Sequence, residues 1–235
     1  MTRQGRGTRV AVAVAGSAAA LLMLVGCTRP EVGGVGPRVA PTQEADRGTH
    51  GAGGSTLDSP ELASLRAQAR VAPCPEPSRS AGASGTAADA GPAGTRPLPE
   101  VTLPCLGQGP DVALGALSGR PSVLNVWAQW CPPCRKEAPH FQALYERAGD
   151  RLLVLGIDYD DPRPELALKF AHDLGLKYPQ VADPDKRLRA PFGIIALPAT
   201  IFVDARGRVV HIAHQVYESE QTLRRDVRTY LGVEL

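Results

Sequence analysis

Cys131 and Cys134, separated only by Pro132 and Pro133, stand between an apolar run at 122–127 and a stretch of helical periodicity at 133–148. No other feature limits the possible folds as strongly. The run at 122–127 is short, holds Val123, Leu124, Val126 and Trp127, and follows Pro121, so it reads as a buried central strand. Pro133 suits a first helical turn, where a missing N–H costs nothing, and Phe141, Leu144 and Tyr145 then share one face. The pattern continues with a buried strand at 152–157, a loop at 158–162, a helix at 165–174 stopped by Gly175, a strand at 199–203 and a pairing strand at 209–213. A closing helix is expected at 219–231, capped by Ser219. Together these predict an α/β fold with a mixed central β-sheet flanked by helices on both faces. The first two strands should be parallel through a right-handed crossover. The cysteine pair then falls at the C-terminal end of a central strand, where open α/β sheets meet their ligands.

The spacing itself has a chemical meaning. Two sulfurs three positions apart at a helix start can close a small disulfide ring with little backbone movement. The electropositive helix N-terminus, with its free N–H groups, favours a thiolate and so allows the ring to reopen. In such motifs the first thiol titrates between about 3.5 and 7.5. Cys131 is therefore the expected attacking thiolate, and Cys134, one turn further in and more buried, the resolving thiol.

Composition divides the remainder. Arg3, Arg6 and Arg9 precede an apolar run from 10 to 26, the signature of an export signal. Its end, Leu24-Val25-Gly26-Cys27, resembles the lipobox of bacterial lipoproteins, which implies cleavage before Cys27 to remove residues 1–26 as a signal peptide, lipidation of Cys27 and anchoring outside the cytoplasmic membrane. An uncleaved anchor is the alternative. Residues 27–97 are rich in Gly, Pro, Ala, Ser and Thr and read as a lipid-anchored flexible linker; residues 98–235 form the expected domain. Within the linker, Ser59-Pro60-Glu61 looks like a helix start, with Leu62, Leu65 and Ala69 on one face; a transient helix is expected there, with a small helix docked on the domain as the alternative. A net charge of +2, with no basic stripe or interleaved aromatics, argues against nucleic acid as a partner. Of five cysteines, lipidation of Cys27 leaves four. Cys74 and Cys105, each next to proline, are expected to pair as a structural disulfide in an oxidising compartment. A zinc site made from all four is the alternative, disfavoured by the wide separation of Cys74 and Cys105.

The segment from Trp127 through Ala128, Gln129, Trp130, Cys131, Pro132, Pro133, Cys134, Arg135, Lys136, Glu137 and Ala138 to Pro139 resembles the active-site segment of the thioredoxin superfamily, and most closely its TlpA/ResA-like, membrane-tethered branch. Leu197-Pro198-Ala199-Thr200 is similar to the family's cis-proline loop, and the resemblance covers roughly 98–235. It implies that Cys131 and Cys134 react as assigned above. It further implies that Pro198 is cis and faces the pair, that Leu197 pairs with a substrate chain through its backbone, and that Trp130 covers the sulfurs. Glu137 matches an acid that this branch uses to tune and shuttle protons. One departure from thioredoxin itself is Asn125, where a buried aspartate would stand. Asn takes up no proton, which shifts that work to Glu137 or to water. A glutamate lodged near buried sulfurs is expected to have a raised pKa and to act as general base on Cys134, although a glutamate on a helix is most often simply solvated. Trp127 reads as core. The run Asp158, Asp160 and Asp161 reads as turn and cap chemistry rather than a cation site, and His211 and His214 are poorly placed as joint metal ligands.

Three functions follow from the resemblance and the residues. The first is a reductant of exported thiol proteins, for instance apocytochromes c, fed by a membrane thiol electron donor. The second is an oxidant that introduces disulfides, the same chemistry reversed, with about 30 mV changing the equilibrium tenfold. The third is a copper-binding lipoprotein of similar fold, disfavoured by the two-residue spacing and the proline loop. A peroxidase would need a separate Thr-x-x-Cys element, which does not appear. No cofactor is expected beyond the Cys131–Cys134 disulfide.

Overall fold

A computed structural model describes residues 59–76 and 94–235. The expected export signal, Cys27 and most of the 27–97 linker lie outside the described residues. The strands are β1 (Arg96–Pro97), β2 (Thr102–Leu103), β3 (Val112–Ala113), β4 (Ser122–Trp127), β5 (Leu153–Tyr159), β6 (Gln180–Asp183), β7 (Ala199–Val203) and β8 (Arg208–Ala213). The helices are α1 (Pro60–Ala69), α2 (Pro132–Ala148), α3 (Pro164–Asp173), α4 (Arg189–Phe192) and α5 (Glu220–Leu231).

Six strands form one mixed sheet in the order β1-β8-β7-β4-β5-β6, while β2 and β3 pair separately. β4 lies inside the sheet, parallel to β5 and antiparallel to β7. Every residue of β4 is buried, as a strand covered on both faces requires. Its side chains alternate between two apolar layers. Val123 and Trp127 join Phe141 and Leu144 of α2, Phe170 of α3 and Leu223 and Val227 of α5. Leu124 and Val126 join Leu103, Leu114, Leu188 and Phe192 on the other face. Each such side chain contributes about 1.5–3 kcal/mol by leaving water. α5 starts where Ser219 Oγ accepts the Thr222 N–H at 3.2 Å and stops at Gly232, whose φ of 68° suits a left-handed cap.

Besides the unanticipated β1, β2, β3 and α4, of which β1 draws the end of the expected linker into the sheet, three departures from the expectations stand out. The helix at Ser59–Arg70 is not transient, because α1 packs on α3 and places Leu62 and Ala69 in the main core. Ser59 Oγ accepts the Leu62 N–H at 3.2 Å, and the Arg66 Nε donates to the Leu106 carbonyl at 3.0 Å. Lys177 Nζ donates to the Ala69 carbonyl at 3.0 Å, and the Ala72 N–H to the Lys177 carbonyl at 2.7 Å. Part of the expected linker is thus bound to the domain, because it meets a prepared surface that its own weak apolar pattern does not reveal. Second, β5 runs on to Tyr159, so Asp158 lies in a strand rather than a loop. Third, β6 is an unanticipated edge strand.

Candidate active site

Cys131 is the N-cap of α2, with extended backbone (φ −94°, ψ 103°), and Pro132 and Pro133 occupy the opening of the helix. Its Sγ accepts the Cys134 N–H at 3.2 Å. The sulfur thus occupies the place where a capping oxygen usually satisfies a free helix donor. Cys131 and Cys134 are joined as a disulfide with a Cα–Cα distance of 5.3 Å. Both are buried, so in this oxidised state they are shielded almost equally. Trp130, just before the pair, is exposed, and its indole N–H donates to the Asp160 carbonyl at 3.3 Å. Arg135, next after Cys134, lies 4.6 Å over the Phe170 ring and adds positive charge near the helix start.

The Leu197–Pro198 peptide is cis and leads directly into β7. β7 runs antiparallel to β4, and their ladder closes at Val126↔Ala199. Leu197 and Pro198 therefore follow at the same end of the sheet from which the chain runs into Cys131. Trp130, Pro132, Pro133, Leu197 and Pro198 all belong to this end. Cys74 and Cys105 do not. They form a separate disulfide, and Cys105 bridges Val181 on β6, two strands away from β4.

Glu137 follows Cys134 by three positions, so the two occupy the same face of α2. Its side chain is buried, with the residue 1% exposed. Oε1 accepts the Asn125 amide at 2.9 Å, and Oε2 accepts the Tyr217 N–H at 3.1 Å. Burial pushes this carboxyl up from 4.5 to about 7, against the pull of those two hydrogen bonds. The Tyr178 hydroxyl donates to Asn125 Oδ1 at 3.3 Å, and burial raises that phenol strongly. Asn125 thus passes a hydrogen bond from Tyr178 to Glu137, donating to the carboxyl as an aspartate could not when ionised. Sequence reasoning missed Tyr178 and Tyr217: one reaches Asn125 across 53 positions, the other supplies only a backbone N–H.

Trp127 lies in the core, stacked on Phe170 at 4.5 Å, and its indole N–H donates to Gln180 Oε1 at 3.0 Å. The acidic run divides. Asp161 Oδ1 accepts the Arg163 N–H at 3.1 Å, and Asp160 pairs with Lys186 at 3.1 Å. Asp158 is wholly buried with neither oxygen hydrogen-bonded; burial first, and Asp161 second, hold its carboxyl far above the usual range. Turn chemistry therefore does not account for Asp158. His211 stacks on Tyr230, with ring centroids 3.9 Å apart. Among the described residues, no three His, Cys, Asp or Glu side chains are grouped to hold a metal, and no helix is long and apolar enough to cross a membrane.

A mixed sheet flanked by helices, a disulfide at the start of the helix after the central strand and a cis-proline entering the neighbouring strand define a protein of thioredoxin fold. The AhpC/TSA family model matches residues 95–212, half of the chain, and the chain belongs to that family. It is 37% identical over 119 residues to the thiol:disulfide interchange protein DsbE of Allochromatium vinosum, covering 49% of this chain and 64% of that protein. It is 31% identical over 105 residues to the thiol-disulfide oxidoreductase ResA of Bacillus thuringiensis, covering 44% and 60% respectively. These matches span about three fifths of the relatives' own length. Among solved structures, a DsbF homologue from Corynebacterium diphtheriae superposes with a TM-score of 0.52 at 29% identity, over 58% of this chain and 87% of the other.

Proposed function

We propose that this chain is an extracytoplasmic thiol–disulfide oxidoreductase that exchanges its Cys131–Cys134 dithiol and disulfide with exported proteins, working as a reductant. The observation that carries the reading is the Cys131 sulfur held as the cap of α2, accepting the Cys134 N–H. The names of the DsbE and ResA relatives point to the same chemistry.

In the reduced chain, the Cys131 thiolate attacks one sulfur of a substrate disulfide. A mixed disulfide forms, the substrate S–S bond breaks, and the second substrate sulfur leaves as a thiolate that takes a proton from water. Cys134 then gives its proton to the Glu137 carboxylate and attacks the Cys131 sulfur. The Cys131–Cys134 bond forms, the mixed disulfide breaks, and the captured substrate sulfur leaves as a thiolate that takes the proton held by Glu137, so the substrate departs with two electrons and two protons as a dithiol. A carboxyl near 7 suits this work, since it both accepts and returns a proton close to neutral pH. Leu197, beyond the last ladder pair, offers its backbone to an extended substrate, while Trp130, Pro132, Pro133 and Pro198 line the approach. A membrane thiol donor restores the dithiol, so no cofactor beyond the disulfide is required. The positive N-terminus, the apolar run and Cys27 support lipid anchoring on the outer face of the bacterial membrane. Apocytochrome c is the substrate that the TlpA/ResA-like resemblance implies.

The test is trapping. Cys134→Ala in the full chain should retain exported proteins as mixed disulfides on Cys131, identified by mass spectrometry, and Cys131 should titrate below neutrality. A Cys131 that is an ordinary protonated thiol at pH 7 and traps nothing would sink the reading. The direction is read from the reduction potential and the cellular redox state of the pair, with a mostly oxidised pair at steady state favouring the oxidant instead.

A further inference from the structure

Among the described residues, two large apolar side chains are exposed: Trp130 at 49% and Ile195 at 86%. Single exposed apolar residues are ordinary, but these two are not scattered. Trp130 adjoins Cys131, and Ile195 stands two residues before Leu197 and the cis-proline. The antiparallel β4–β7 pairing brings both loops to the same end of the sheet. Ile195 is also held in place. Gly193 takes a left-handed turn at φ 64°, Ile194 is buried in the core, and the Ile194 N–H donates to the Arg189 carbonyl at 3.0 Å. An anchored neighbour thus presents Ile195 to solvent. The segment Gly193-Ile194-Ile195-Ala196-Leu197-Pro198 carries no charged side chain, and Gly193 and Ala196 beside it are exposed.

We propose that Ile195 is a specificity-determining residue, which receives an aliphatic or aromatic side chain adjacent to the reactive cysteine of an extended protein substrate. The inference rests on the oxidoreductase reading and names the substrate class for that site: cysteines with apolar neighbours, as in unfolded segments, over cysteines with small polar neighbours. The uncharged segment fits such an occupant, because a charged residue set against it would lose water without gaining a partner. A second copy of the chain fits less well. Two side chains cover at most roughly a few hundred Å², against the approximately 1,200 Å² buried by a small stable interface.

The experiment uses the pre-reduced full chain and the symmetric disulfides of two short peptides, identical except for Leu or Ser next to the cysteine. Each rate constant is divided by the same variant's rate with oxidised glutathione. The native chain should favour the Leu peptide about tenfold, the size of discrimination an apolar contact supplies. Ile195→Ser should reduce the ratio to about twofold or less, and Ile195→Leu should retain it. A ratio unchanged in Ile195→Ser, or no preference in a native chain that still reduces oxidised glutathione, overturns the role of Ile195 alone. Self-association of the native chain that Ile195→Ser abolishes also overturns it, since the side chain would then serve a second copy. No reaction with any of the disulfides overturns the oxidoreductase reading and this inference with it.

Discussion

Glu137→Gln tests the buried carboxyl directly. The substitution preserves size and leaves an acceptor for the Asn125 amide, but it places an NH2 group where Oε2 accepts the Tyr217 N–H. One buried donor then faces another, which costs about 1–3 kcal/mol at every pH. The native side chain carries a separate, pH-dependent cost. Its carboxyl titrates at 4.5 when solvated and at about 7 in the folded chain. Between those values the folded state holds a proton that the unfolded state has released, so stability is fully present below pH 4.5 and falls as pH rises to about 7. The loss amounts to about 3 kcal/mol, because each pH unit between the two values is worth about 1.36 kcal/mol. Glutamine has no such titration. The variant should therefore be less stable than the native chain at pH 4.5 and gain about 3 kcal/mol on it by pH 8, ending close to parity or above. Urea denaturation of both oxidised chains across this range measures the difference, and other buried acids cancel because both chains carry them. A difference flat to within about 1 kcal/mol would refute the reasoning, since the carboxyl would then titrate as if in water. Resolution of the mixed disulfide supplies the functional half. It should speed up through pH 7 in the native chain, and in the variant run slower by on the order of a hundredfold without that rise.

Three further outcomes follow from other parts of the structure. Asp158→Asn should gain stability over the native chain steadily as pH rises above 4, because the native carboxyl is pushed up by burial and by Asp161 and its proton is lost first from the unfolded state; a pH-independent difference would contradict this. Replacing Cys74 and Cys105 together with Ala should cost about 3–4 kcal/mol for a cross-link across 31 positions and speed amide exchange in Pro60–Ala69, and unchanged exchange there would show that α1 needs no tie. Gly156→Ala drives a Cβ into Gln180 Oε1, so Gln180 must move, the Trp127 indole N–H loses its partner, and stability should fall by about 1–3 kcal/mol with a changed Trp near-ultraviolet signal.

What could be read from sequence depended on how far apart the interacting residues lie. β4, β5, β7 and β8 announce themselves through local runs, as do α2, α3 and α5 through periodicity and caps, and their ends differ from expectation by two residues at most. The cysteine pair is legible because its chemistry lies within four consecutive residues at a strand–helix junction. The position of Glu137 is legible for the same reason, and so is the upward direction of its titration beside buried sulfurs; the opposing hydrogen bonds are not, since the Tyr217 N–H comes from 80 positions away. Two misses that look separate share one cause. Gln180–Asp183 has too short and mixed a pattern to read as a strand, so nothing called for a partner along the far edge of β5. Once β6 is in place, it pairs Asp158 with Ala182 and Tyr159 with Asp183, which carries β5 past Ile157. On its other side Asp158 pairs with Trp127. Held between two strands, its carboxyl cannot turn to solvent as a loop residue's would. The unseen edge strand is thus what converts an apparently ordinary acidic turn into a buried acid beside the loop that leads to Cys131.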